Sequence, residues 1–266
     1  MSNNADRYAS RKVRKSRKTR EEKEQTGAEI VVKEKFEAER KLAPIRALTP
    51  KQQDYIDAIR NNNIIIVNGL FGTGKTYIAS AMAADELRNH RISKIIVARP
   101  YVEVGQTAGS RPGSTLEKLY PIVRNTLDTI QKRMGYGAFQ TALKDGLTGS
   151  IEVQEIASIR GRSFDEPSWL IVDEAQLTTP EELLAIVTRV SDNCKLILCG
   201  DLKQRDKKGL AGLKWFMDFA KRHNIEGVKV VEFNSVEDIV RGGTVRDIAI
   251  GLMKDNQRGI QTPEST

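Results

Sequence analysis

Residues 61–76 read NNNIIIVNGLFGTGKT, and the fold turns on how this stretch is understood. Ile64, Ile65, Ile66 and Val67 form an unbroken β-branched run, the pattern of a strand covered on both faces. From Gly69 to Thr76 the chain spells G-x-x-x-x-G-K-[ST], and an apolar helix-forming stretch, Tyr77 to Leu87, follows at once. Strand, glycine-rich turn and helix together make a phosphate-binding loop. Glycines let the backbone curl so that its N–H groups point inward at phosphate oxygens, and the helix N-terminus adds positive potential. Lys75 is expected to reach the β- and γ-phosphates, and the Thr76 hydroxyl to ligate Mg²⁺. An ordinary glycine turn would have no use for a Lys-Thr pair at that place. Gly69, Leu70, Phe71, Gly72, Thr73, Gly74, Lys75, Thr76 and Tyr77 are therefore the candidate nucleotide-binding residues.

A second anchor is WLIVDEAQ, Trp169 to Gln176. Four apolar residues form a central strand with Asp173 and Glu174 at its carboxyl end. Adjacent carboxylates there are costly unless a cation offsets them, so this motif and the phosphate loop support each other. Asp173 is expected to hold the Mg²⁺ shell through water, opposite Thr76, and Glu174 to polarise an attacking water as general base. A third strand, KLILCG (Lys195 to Gly200), leads into Asp201-Leu202-Lys203-Gln204. Gln204 is placed to sense the γ-phosphate, with a plain polar turn as the competing reading.

The remaining strands are Lys94–Ala98, Ile151–Ile156 near a sheet edge, and Val228–Phe233. Expected helices cover Thr115–Met134, Phe139–Lys144, Thr178–Val190 (capped by Thr179, with Pro180 first), Leu210–Arg222, Ser235–Arg241 and Thr244–Lys254. Ala47 to Arg60 reads as a turn and a short helix with Thr49 as N-cap and Pro50 at its first position. Gln52 there either reads an adenine edge or is a helix-surface glutamine. Trp215, Phe216 and Phe219 are read as core rather than as a base-stacking platform. The fold class is α/β, a P-loop core whose mostly parallel sheet is flanked by helices.

The 266 residues carry a net charge of +8, and the pI is near 9.4, which points to an anionic partner and says nothing about fold. Basic residues crowd Arg7 to Arg20, a run that cannot bury enough apolar surface to fold alone. It is either a grip on nucleic-acid phosphates or a solvated tail. The insertion 101–149 is basic through Arg111, Lys118, Arg124, Lys132 and Arg133, either a nucleic-acid surface or a solvated helix face. Arg99 either touches phosphate or a nucleic-acid backbone or is a plain ion-pairing arginine, and Arg160 with Arg162 either contacts phosphate or belongs to a plain surface turn. The two cysteines, Cys194 and Cys199, sit on one strand as reduced core thiols. No apolar run of about 18 residues is present, so no membrane segment is expected and the protein reads as cytoplasmic. Three parts are expected: a basic extension over 1–42, disordered or partly helical; a nucleotide-binding domain over 43–254; and a disordered tail over 255–266.

The motifs NGLFGTGKTYIA, ARPYVEVG, IASIRGRSF, LIVDEAQLTTPEE, LCGDLKQRD and FNSVEDIVRGG, in this order, resemble those of the PhoH-like P-loop ATPases. The resemblance spans about residues 45–252 and implies a single RecA-like core, akin to one domain of superfamily 1 helicases. There the Asp173 strand is separated from the Ile64 strand by one other. It implies ATP and Mg²⁺ as ligands, and RNA or single-stranded DNA as partner. It also implies a homo-oligomeric, hexameric ring. The family's opening motif matches Thr49, Pro50 and Gln52; its γ-phosphate-sensing motif matches Gly200, Asp201 and Gln204. The arginine of its closing motif matches Arg241, an arginine finger from a neighbouring subunit. Leu70-Phe71 stands where Pro-Ala is usual, and Gly242-Gly243 where a His is common. No fused nuclease domain is expected, and length and basic arm resemble the stand-alone versions of bacteriophages, which would place the protein in the host cytoplasm. A nucleic-acid-coupled ATPase is the leading reading. An ATP-gated scaffold ring with slow hydrolysis and no unwinding is the alternative; a small-molecule kinase suits the Asp-Glu-Ala-Gln strand end less well, and no N-K-x-D guanine reader follows a strand.

Overall fold

The computed structural model describes residues 43–100, 115–143, 149–205 and 209–258. Six strands form one all-parallel sheet: β1 (Ile64–Gly69), β2 (Lys94–Arg99), β3 (Ile151–Glu155), β4 (Ser168–Val172), β5 (Cys194–Gly200) and β6 (Val228–Phe233). Their spatial order is β3-β2-β4-β5-β1-β6. The strand bearing Asp173 and Glu174 is thus one strand removed from the phosphate-loop strand, with β5 between them, as expected. β3 lies at an edge, also as expected.

Each buried strand divides its side chains between two helical layers, because successive residues of a strand point to opposite faces. Ile65, Val67, Ile95, Val97, Trp169, Ile171, Ile197 and Cys199 face one layer. Against them pack α1 (Pro50–Asn61), α2 (Lys75–Arg88), α3 (Thr115–Met134) and α4 (Tyr136–Ala142). Ile66, Ile96, Leu170, Val172, Leu196 and Leu198 face the other layer. It is covered by α5 (Ile156–Ile159), α6 (Pro180–Val187) and α7 (Gly212–His223). Burial of each such aliphatic side chain is worth about 1.5–3 kcal/mol. A smaller apolar cluster, Leu70, Ile239 and Ala249, joins the phosphate loop to α8 (Gly243–Gln257).

The helix signals hold where chemistry sets them. Thr49 Oγ1 accepts the Gln52 N–H at the start of α1, and Thr179 forms a reciprocal capping box with Glu182 at the start of α6. Other boundaries move. The segment expected as a helix over 235–241 is a single 3₁₀ turn, Val236–Asp238. The main-chain N–H groups of Val240 and Arg241 both donate to Gly72 O, at 3.0 and 3.2 Å, and so leave the helical path. α6 ends at Val187, short of the expected boundary at 190, and Val190 pairs with Phe164 in an isolated bridge. α8 runs to Gln257, past the expected boundary at 254.

Both cysteines are free and buried. Phe216 is buried, whereas Trp215 and Phe219 are half-buried and stack with centroids 5.7 Å apart. The basic segment over residues 1–42, Arg111 and the side chain of Lys118 lie outside the described residues.

Candidate active site

The phosphate loop leaves β1 through a conformation that needs glycine. Gly69 has φ +149°, and a Cβ on it would stand 2.3 Å from Phe233 O. Leu70 N–H then donates to that same oxygen at 3.1 Å, so β6 braces the turn. Gly72 and Gly74 follow at φ +72° and +86°. Gly74 is the N-cap of α2 and supplies no side-chain cap, unlike Thr49 and Thr179, so the first amides of α2 stay available for an anion.

Lys75, Thr76, Asp173, Glu174, Gln204 and Arg241 line one cavity of about 700 Å³, together with Gln52, Phe71, Gly72, Gly74 and Tyr77. Lys75 and Glu174, far apart in the chain, therefore face the same space. The Lys75 ammonium folds back on its own loop, donating to Gly69 O at 2.6 Å and Leu70 O at 2.8 Å. Burial pushes its pKa below the usual lysine value, and the charges of Asp201, Asp173 and Glu174 pull it back up. Thr76 Oγ1 donates to Asp173 Oδ1 at 2.8 Å. Burial raises the Asp173 carboxyl; the Thr76 bond opposes that, and the neighbouring Glu174 charge adds to it.

Glu174 sits in the left-handed region at φ 54°, a conformation a non-glycine residue keeps only when its surroundings hold it. Its Oε2 accepts from Gln176 Nε2 at 2.6 Å, and Arg99 Nη2 lies 3.5 Å from its Oε1. Arg99 Nη1 donates to Ile122 O of α3 at 2.6 Å, so this arginine belongs to the cavity wall.

Other site residues make contacts of their own. The Leu70 and Thr73 side chains turn away from the cavity: Leu70 packs on Ile239 and Ala249, and Thr73 Oγ1 donates to Leu70 O at 2.9 Å. These two can serve a phosphate only through the main chain. Gln52 is no surface residue: it is 3 % exposed, its Oε1 accepts the Leu48 N–H at 2.8 Å and its Nε2 donates to Thr73 O at 2.9 Å. It props the phosphate loop. Arg241 lies against the loop of its own chain, its Cβ within 3.1 Å of where a Gly72 Cβ would stand, so its place in the cavity needs no neighbouring subunit. Arg162 is consumed by Glu152 at 2.5 Å, and Arg133 is bound by Asp85 and Ala43 O. Of the basic residues expected on α3, Lys132 reaches the cavity.

The donor set is hard: a hydroxyl from Thr76 and carboxylates from Asp173 and Glu174 suit Mg²⁺. Among the described residues no group of His, Cys, Asp or Glu could hold a metal by itself. An ion at Thr76 and Asp173 would complete its shell with phosphate oxygens and water. Also among the described residues, no helix is long and apolar enough to cross a membrane.

A family model described as "PhoH-like protein" matches residues 44–251. A PhoH-like protein of Bacillus subtilis (strain 168) is 35% identical over 217 residues, covering 80% of this chain and 65% of that one. Protein PhoH of Escherichia coli (strain K12) is 35% identical over 167 residues, covering 63% of this chain and 47% of that one. The chain thus spans less than two thirds of these relatives' own length. Among solved structures, the large terminase of the thermophilic bacteriophage D6E aligns with a TM-score of 0.51 at 14% identity, over 78% of this chain and 50% of that one. The shared architecture is the RecA-like P-loop fold.

Proposed function

The chain belongs to the PhoH-like family, and on that footing we propose that it is an Mg²⁺-dependent ATPase coupled to RNA or single-stranded DNA. One observation carries the reading: the lysine and threonine of the phosphate loop and the carboxylate pair ending β4 line a single cavity with Gln204 and Arg241.

ATP would enter with its triphosphate against the amides of Gly72 to Thr76, and its β- and γ-phosphate oxygens would replace Gly69 O and Leu70 O as acceptors for Lys75. When bound, Mg²⁺ neutralises charge on the phosphate oxygens; Thr76 and Asp173 would hold it. Glu174 takes the proton of the attacking water, and Lys75 and Arg241 offset charge on the γ-phosphoryl oxygens. Gln204 senses that group. Tyr77 and Phe71 border the cavity and supply apolar surface for the nucleoside.

Coupling to a polymer is supported by the net charge of +8 and by the basic run from Arg7 to Arg20. Work on a polymer also calls for a partner surface over the open cavity, which a ring of copies would supply. The deciding experiment is ATP turnover alone and with single-stranded RNA, single-stranded DNA or duplex, over a salt series. Strong, salt-sensitive stimulation is the expected result. Turnover unmoved by every polymer favours the ATP-gated scaffold ring, and sedimentation with and without ATP tests for the ring itself.

A further inference from the structure

Gln176 joins the ends of β4 and β5 through one side chain. Its Nε2 donates to Glu174 Oε2 at 2.6 Å, and its Oε1 accepts the main-chain N–H of Asp201 at 3.2 Å. The residue is 1 % exposed. The approach depends on Gly200, where a Cβ would stand 2.9 Å from Gln176 Oε1 and 2.5 Å from the Leu213 side chain. Asp201 O accepts in turn the N–H of Gln204 at 3.1 Å. A hydrogen-bonded path thus runs from Glu174 through Gln176 and Asp201 to Gln204.

Packing alone does not account for this amide. A buried carboxamide is expensive unless both ends are satisfied, and here each end meets a different strand terminus of the cavity. The end on Glu174 holds a side chain whose backbone is already in the left-handed region. The contact with Asp201 leads to the segment that carries Gln204, three residues further along the chain.

We propose that Gln176 is a positioning residue for hydrolysis, orienting the Glu174 carboxylate and coupling that orientation to the 201–204 segment. The inference rests on the ATPase reading above. A terminal phosphate that shifts Gln204 also shifts Asp201, and through Gln176 turns the base toward or away from the attacking water. Departure of the phosphate relaxes the same path. Arg99 holds the other carboxylate oxygen, so loss of the Gln176 bond lets Glu174 swing toward that arginine.

The test compares kcat and KM for ATP in the full chain carrying Gln176→Met, Gln176→Glu, Gln204→Ala, or Gln176→Met with Gln204→Ala. Gln176→Met keeps length and loses both bonds; Gln176→Glu keeps an acceptor for Asp201 N–H and loses the donor to Glu174. Both are expected to lower kcat about ten- to a hundredfold with KM for ATP within about twofold. The double variant is expected to be no slower than the slower single one, because both residues act through one path. The inference is overturned by kcat within about twofold of the parent in Gln176→Glu, by additive losses in the double variant, or by a KM that rises as kcat falls. Should Gln176→Met fail to fold, Gln176→Glu and its pairing with Gln204→Ala carry the same decision. Lys75→Ala separates the two levels. If it turns over ATP as the parent does, the ATPase reading fails; if it is inactive while Gln176→Glu is normal, the positioning role alone fails.

Discussion

Thr76 and Asp173, 97 residues apart in the chain, share a hydrogen bond of 2.8 Å. It joins the start of α2 to the end of β4, and it is the contact that an Mg²⁺ ion would have to open or bridge. Thr76→Val keeps the shape and removes the hydroxyl. The expected outcome is a rise of about tenfold or more in the Mg²⁺ concentration giving half-maximal turnover, with metal-free nucleotide binding unchanged. A metal titration of the ATPase rate checks it; an unmoved midpoint removes Thr76 from the metal site.

Glu174→Gln keeps a polar side chain beside Gln176 and Arg99 but cannot accept a proton. Turnover is expected to fall by about 10²–10⁴ while binding of a fluorescent ATP analogue persists. Hydrolysis at the parent rate would transfer the base to another group.

Arg241 contacts Gly72 within its own chain. Arg241→Ala is expected to lower kcat about tenfold or more, as removal of a charge-stabilising cation does. Mixing Arg241→Ala with Lys75→Ala chains distinguishes the two placements: an arginine acting in its own cavity gives no recovery. Recovered activity would return it to the neighbouring-subunit role.

Gly69→Ala would place a methyl 2.3 Å from Phe233 O at φ +149°. Relief requires moving β6 or the loop, at a cost of about 1–3 kcal/mol or more. A lowered urea midpoint is expected together with weakened nucleotide binding. A midpoint equal to the parent's would mean that the loop has room it does not show.

Glu152, on edge strand β3, has a side chain 1% exposed and pairs with Arg162 at 2.5 Å and Lys94 at 2.7 Å. Burial pushes its carboxyl up, but the bonds from Arg162 and Lys94 prevail and hold it below the usual range. A depressed folded-state value means that the pair's stabilisation is present above the ordinary carboxylate range and is lost as pH falls through the depressed one. Arg162→Ala leaves the buried carboxylate with Lys94 and the Gln154 amide, at an expected cost of about 1.5–3 kcal/mol near neutral pH. Urea unfolding near neutral pH and in acid should show the gap between variant and parent closing as pH falls. A gap independent of pH would refute the ionic account.

The six strands were legible because β-branched runs report burial, and because parallel sheets bury both faces. The phosphate loop was legible because its glycines and its Lys-Thr pair are dictated by backbone curvature and phosphate chemistry rather than by neighbours. Thr49 and Thr179 were legible as caps for the same local reason. The placement of Asp173 beyond β5 came with the family resemblance and not from periodicity.

What needed tertiary structure is the identity of partners. Periodicity states which face of an element is covered and leaves open what covers it. Nothing local in DEAQ says that Gln176 spans Glu174 and Asp201, nor that Arg162 answers Glu152 instead of a phosphate. Arg241 reads as a helical residue until Gly72 O captures its N–H, and Gln52 as either an adenine reader or a surface glutamine until the loop closes over it. Chemistry confined to one turn is written in the chain itself; a hydrogen bond between distant segments exists only once the sheet order has set them side by side.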